Sequence, residues 1–195
     1  MSIPPLSPGN GYLPLGRHTA TLAEVQAAFV DDAMFATSTE RPKLWANLRL
    51  YLGRWVAYEQ QMAQHLNGAN VLMSLWFGGS FVSDRLDPGN LDLMLFADGA
   101  ALDACKGKPG NGALAKLSSR KAVKPELGIE PIVVRYRPVV SPFVLSRLTD
   151  QEREYVGYRG GFDDWWMRAR PTGVPKGPPS ADTCEWKRGY VEVML

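Results

Sequence analysis

The stretch Leu75–Leu95, LWFGGSFVSDRLDPGNLDLML, carries a Gly-Gly-Ser bend, an acidic, turn-rich spacer and an apolar strand holding Asp92. Two local structures are compatible with it. One is a hairpin closed by an ordinary turn, since glycine commonly punctuates strands. The other is half of a site for a metal and a nucleoside triphosphate. Glycines at a strand end (Gly78, Gly79) let backbone N–H groups approach an anion, and the Ser80 hydroxyl adds a donor. A strand carboxylate about a dozen residues on can return beside such a bend and hold Mg²⁺, which prefers carboxylate and phosphate oxygens. Strand positions two apart share a face, which groups Asp92 with Asn90; the asparagine coordinates only through a neutral carbonyl. LDPGN, with Pro88-Gly89 at its centre, reads as a turn, and Asp87 goes with it.

Upstream, VLMSLWF is a short apolar run suited to a buried strand, and NGAN stops the helix before it. That helix starts near Pro42, with Leu44, Leu48, Tyr51, Leu52 and Trp55 recurring on one face, an aromatic stripe that reads as core. Thr21 and Glu24 form a capping box ahead of TLAEVQAAFV. Residues 1–16, rich in proline and glycine, form an extended arm laid over the domain, or a disordered one. Downstream, LDLMLF is a second strand, ADGAALDAC a short helix and KGKPGNG a loop. GIEPIVVRYRPV is a third strand, placed near a sheet edge by Pro131. LTDQEREYVGYRGGFDDWWMRA reads as helical pieces broken by Gly157 and by Gly160-Gly161. A Pro/Gly-rich loop at 171–180 precedes a C-terminal strand at 188–195, RGYVEVML. The order predicts an α+β fold, a mixed β-sheet flanked by helices, as one domain over 17–195.

The bulk composition narrows the function classes. With 195 residues, 45% hydrophobic and 22% charged, the chain can bury a real core. A net charge of +2 makes no global demand for a nucleic-acid or membrane partner. Cys105 and Cys184 lie far apart without CxxC or Cys/His spacing, which argues against structural zinc and for a reducing compartment. Prolines stand where a signal peptide would need an apolar run, and no stretch nears the roughly 18 apolar residues of a membrane helix. The expectation is a soluble cytoplasmic protein.

The quoted stretch resembles the signature of minimal nucleotidyltransferases of the DNA polymerase β-like superfamily: a Gly-Ser bend, a spacer, then two acids separated by one apolar residue. The similarity extends to a small bacterial subgroup that opens with Leu-Pro-x-Gly-x-His-x-Ala-Thr-Leu, matched by LPLGRHTATL, and ends in a strand echoed by RGYVEVML. The resemblance implies a minimal nucleotidyltransferase-like sheet and transfer of a nucleoside monophosphate from an NTP to an RNA or protein hydroxyl. It implies two Mg²⁺ (or Mn²⁺) ions holding the attacking and leaving oxygens. Carried onto this chain, Gly78, Gly79 and Ser80 bind phosphate, and Asn90, Asp92 and Glu130 hold the metals and perform catalysis, with Glu126 a second choice for the third acid. Relatives of this type include toxins of toxin–antitoxin and phage-defence systems, so a cognate antitoxin or assembly partner is also implied.

This chain departs from that pattern at Asn90, where the first acid is expected, and at Glu130, a glutamate followed by proline. Losing an anionic ligand weakens Mg²⁺ binding. The alternative is therefore a degenerate member of the fold, a pseudoenzyme that binds a protein or nucleotide without turnover. Six basic residues and no acid lie between Cys105 and Pro125 (Lys106, Lys108, Lys116, Arg120, Lys121, Lys124), a solvated face or a phosphate-neutralising one. His18 reads as packing of the arm, and His65 is isolated. Trp165 and Trp166 either cover the site or pack the core. No Ser/His/Asp or Cys/His arrangement supports nucleophilic catalysis.

Overall fold

The structure is a computed structural model and describes residues 3–169 and 178–195. Five strands form one mixed sheet: β1 (Gly16–Ala20), β2 (Leu72–Gly78), β3 (Leu91–Asp98), β4 (Ile129–Tyr136) and β5 (Gly189–Met194), in the order β1-β5-β2-β3-β4. The helices are α1 (Leu22–Phe29), α2 (Glu40–Leu66), α3 (Gly99–Cys105), α4 (Gly112–Leu117), α5 (Arg120–Leu127) and α6 (Asp150–Met167). The fold is α+β, as the segment order predicts. β2 runs antiparallel to both β3 and β5, while β1–β5 and β3–β4 are parallel. β4 is an edge strand, where the N–H that Pro131 lacks costs no ladder bond.

Side-chain alternation divides the sheet into two faces. Leu91, Leu93, Leu95 and Ala97 of β3 join Leu75 and Phe77 of β2 in the main core, with Leu48, Tyr51 and Trp55 of α2. Met94 and Phe96 point the other way and meet Trp76, Val134, Tyr190 and, from α6, Tyr155 and Trp166. The face with Met94 and Phe96 is the face of Asp92.

One reading of the sequence needs correction. The segment around Gly157 and Gly160-Gly161 is one continuous helix, α6. Three glycines at up to about 1 kcal/mol each are offset by a Thr149–Glu152 capping box and by burial of Tyr155 and Trp166. The C-terminal strand read at 188–195 forms as β5, and it lies between β1 and β2. Its partner β1 begins where the arm was expected to end; the arm is laid on the domain, with Ile3 and Leu13 buried. Up to residue 177, the loop expected at 171–180 lies outside the described residues. Among the described residues no helix is long and apolar enough to cross a membrane.

Candidate functional site

β2 ends at Gly78, and the chain turns at Gly79 (φ 68°) into a 3-10 turn, Gly79–Val82. Both glycines are fixed by what lies against them. A Cβ on Gly78 would overlap the Trp166 ring, and one on Gly79 would overlap the Asp92 carboxylate. The bend is therefore pressed onto the strand acid, since Gly78 and Asp92 are ladder partners.

The loop after the bend is held from below by Arg41 of α2, which is fully buried. Its Nη1 donates to Phe29 O and Phe81 O at 2.8 and 2.7 Å, and its Nη2 to Ser83 O and Arg85 O at 2.8 and 2.6 Å. Nε donates to Leu86 O at 3.1 Å, and the guanidinium lies 3.6 Å from the Phe35 ring centroid. Burial pulls the Arg41 pKa down to about 10, against the opposing pull of Asp87 and Asp84. The helical pattern marks position 41 as first-turn, and nothing in it shows that a cation closes this loop.

A cleft of about 600 Å³ opens above the bend, lined by Gly79, Ser80, Asn90, Asp92 and a cationic and aromatic wall. That wall is Tyr12 from the arm, Arg85 from the loop, Trp165 at the end of α6, Arg168 just beyond it, and Arg188 before β5. Arg188 Nε donates to Trp166 O at 3.0 Å, and its guanidinium stands 5.8 Å from the Tyr12 ring centroid. Burial lowers its pKa, while Tyr12 and Asp92 work to raise it. Arg168 pairs with Asp164, but its Nε is buried with no acceptor among the described residues.

Among the described residues Asp92 is the only carboxylate lining the cleft. Burial raises its pKa above the ordinary 3.8, and Glu130 raises it further; the Asn90 bond, Arg188 and Arg120 oppose. Asn90 Nδ2 donates to Asp92 Oδ1 at 3.0 Å, spending its amide on the carboxylate. Glu130 is the ladder partner of Asp92 across β3–β4 and projects to the same face. It does not line the cleft, because Arg120 and Lys124 of α5 both pair with its carboxylate. Glu126 pairs with Arg54, and Asp87 accepts from Ser38 Oγ at 2.8 Å; neither lines the cleft.

The structure thus gathers Gly79, Ser80, Asn90 and Asp92, sets Glu130 beside them but occupied, and gives Gly78 to packing. Among the described residues no group of three or more His, Cys, Asp or Glu converges to hold a metal ion. One carboxylate committed to an amide and one committed to two cations do not fit a pair of divalent ions, which need several anionic oxygens. The two tryptophans divide: Trp166 is buried and Trp165 is exposed at the cleft. His18 serves the arm, its Nε2 lying 2.8 Å from Pro14 O. The cationic wall escapes a reading of the sequence because Arg85, Arg168 and Arg188 come from three separate segments.

A family model described as "Family of unknown function (DUF6932)" matches residues 5–181. The chain belongs to that family. Comparison with curated proteins and with solved structures gave no match. The matched span takes in the arm from residue 5, the bend, Asp92, Glu130 and all of α6, so most of the cleft is built from it.

Proposed function

We propose that the protein is a nucleotidyltransferase-like, cytoplasmic nucleotide-binding module that holds an NTP through its phosphates without divalent-metal chemistry. The observation that carries this is the convergence of the Gly79-Ser80 bend with Arg85, Arg168 and Arg188 on one cleft, where Arg168 Nε lacks an acceptor among the described residues. Guanidinium forks match phosphate oxygens, and a left-handed glycine lets backbone approach them. Tyr12 and Trp165 offer ring faces for a base. Arg120 and Lys124 neutralise Glu130 where the resemblance would put a metal. With its catalytic acid pair dismantled, such a cleft reports nucleotide occupancy to a partner, such as a cognate antitoxin or assembly component.

A second reading, Mg²⁺- or Mn²⁺-dependent nucleotidyl transfer to an RNA or protein hydroxyl, is favoured by one observation. Asp92 and Glu130 are in register on adjacent strands. Isothermal titration with each of the four NTPs, in EDTA and in Mg²⁺, separates the two readings. The binding-module reading expects an NTP to bind in EDTA and Arg188→Gln to weaken it at least tenfold. Binding only with Mg²⁺, accompanied by release of pyrophosphate on adding total RNA, would overturn it in favour of transfer.

A further inference from the structure

A second cavity, of about 470 Å³, lies on the α6 side of the sheet and shares no lining residue with the cleft above the bend. Its wall includes Tyr136 and Arg137 at the far end of β4 from Glu130, with Arg17 of β1 and Arg159 of α6. At the strand rise, Glu130 and Tyr136 are roughly 20 Å apart. Three arginines from three distant parts of the chain therefore line one cavity. Such a meeting needs a cause, because like charges repel unless something anionic sits among them.

The protein's own acids meet that charge only in part: Glu192 pairs with Arg17 and Asp103 with Arg137, while Arg159 pairs with no acid among the described residues. Asp163 is the one carboxylate in the cavity wall among the described residues, and it accepts from the Tyr190 hydroxyl. Arg17 Nε is 3.4 Å from Glu192 Oε2, but Glu192 also takes Trp76 Nε1–H at 2.8 Å. Asp103 is divided between Arg135 and Arg137. Arg137 Nε is buried without an acceptor among the described residues. Arg159 makes no ion pair among the described contacts, and its one hydrogen bond goes to the Tyr155 hydroxyl at 3.2 Å. Its guanidinium instead rests on aromatic faces, 5.6 Å from Trp76 and 5.5 Å from Phe96, while Arg17 stands 5.5 Å from the same Trp76 ring. Rings hold guanidinium planes in place and leave their N–H edges free. The result is a preorganised set of donors in surplus over local acceptors, backed by Val139, Pro142 and Val156.

We propose that this cavity is a second anion site, taking a small phosphate dianion held by Arg17, Arg137 and Arg159, either free phosphate or the phosphate of a small ester. Arginine is the residue for this work because its fork binds two phosphate oxygens at once. The apolar backing suits the body of an ester, while the charge suits either form. Occupancy would tie β1, the end of β4 and α6 together, since each contributes one of the three arginines.

The test is isothermal titration of the full chain with inorganic phosphate and with phenyl phosphate. The variants are Arg137→Gln, Arg159→Gln and Arg159→Lys, with Arg168→Gln as the control in the other cleft. Binding by the wild type, weakened at least tenfold in both Gln variants and unchanged in Arg168→Gln, is the expected result. Arg159→Lys keeps the charge and loses the fork, so it should recover only part of the affinity. Equal affinity for the two probes assigns the site to free phosphate; tighter binding of phenyl phosphate assigns it to an ester. Thermal unfolding of each variant, cooperative as in the wild type, confirms that the lost binding is not lost folding. Absence of wild-type binding at about 10 mM, far weaker than a built site gives, overturns the proposal. So does binding that survives both Gln variants or disappears in Arg168→Gln.

Discussion

Replacing Arg41 with methionine is the sharpest test of how the bend is held. Methionine keeps an unbranched apolar stem against Phe35 and removes every donor. Five carbonyls lose their partner, of which Phe29 O, Phe81 O and Ser83 O sit in buried bonds, while Arg85 O and Leu86 O are nearer solvent. A buried acceptor stripped of its donor costs about 1–3 kcal/mol, and the two outer carbonyls regain water. Against this stands the relief of no longer burying a guanidinium, a cost already visible in its lowered pKa. The net expectation is a loss of about 4 kcal/mol, a large part of the stability of any domain. For a chain of this size that is a fall in Tm of roughly 8–16 °C by calorimetry. Trypsin provides the local readout, because Arg85 lies inside the loop that Arg41 secures. Cleavage after Arg85 should become much faster in the variant under native conditions. A loss below about 1 kcal/mol with unchanged cleavage would refute the account of Arg41 as the clasp of this loop.

Other outcomes follow from the same geometry. Asp92 has a folded pKa above its unfolded one, so the folded state holds the proton more tightly; stability falls as pH rises between those values, and the ionised acid is a standing cost above them. Asp92→Asn should therefore raise Tm at pH 7, with the two proteins converging as pH drops below the ordinary carboxylate range; a Tm at pH 7 equal to or below the wild type's would contradict this. Gly78→Ala should cost about 1–3 kcal/mol through overlap with Trp166, and a Trp166→Leu background should recover part of it in chemical denaturation. Arg120→Ala with Lys124→Ala frees Glu130 beside Asp92, and adding Asn90→Asp supplies a third carboxylate; the triple variant should bind Mn²⁺ by titration where the wild type does not.

The strands that build the bend and carry the acids were legible because VLMSLWF, LDLMLF and IEPIVVRY are apolar runs bounded by turns. β1 was not, since GRHTA offers five residues with little apolar character and pairs with a strand far along the chain. The sequence of α6 suggests a broken helix because glycine cost is local in the sequence, while the burial of Tyr155 and Trp166 that overcomes it is tertiary. Half of the candidate cleft was visible for the same reason: Gly79, Ser80, Asn90 and Asp92 fall within a single short stretch. Its guanidinium wall was scattered over the chain, and only folding makes it one surface. The commitment of Glu130 was hidden too, because α5 presents Arg120 and Lys124 from within what the sequence shows merely as a basic run.

The place of β5 between β1 and β2 has a consequence for the chain's birth. Gly16–Ala20 pairs only with Gly189–Val193 among the described strands, and β2 keeps one open edge until the same residues arrive. At about 5–20 residues per second of synthesis, the gap between those segments is roughly 10–30 s on the ribosome. From the synthesis of β2 until β5 arrives, the backbone of Leu75, Trp76 and Phe77 lines an unpaired rim, the kind of edge that recruits foreign strands. Residues 16–20 wait more safely, because Arg17 and His18 make a poor template for aggregation. A nascent chain halted before residue 189 should accordingly depend on a holdase to remain dispersed, and release from it should coincide with emergence of the strand that seals the sheet.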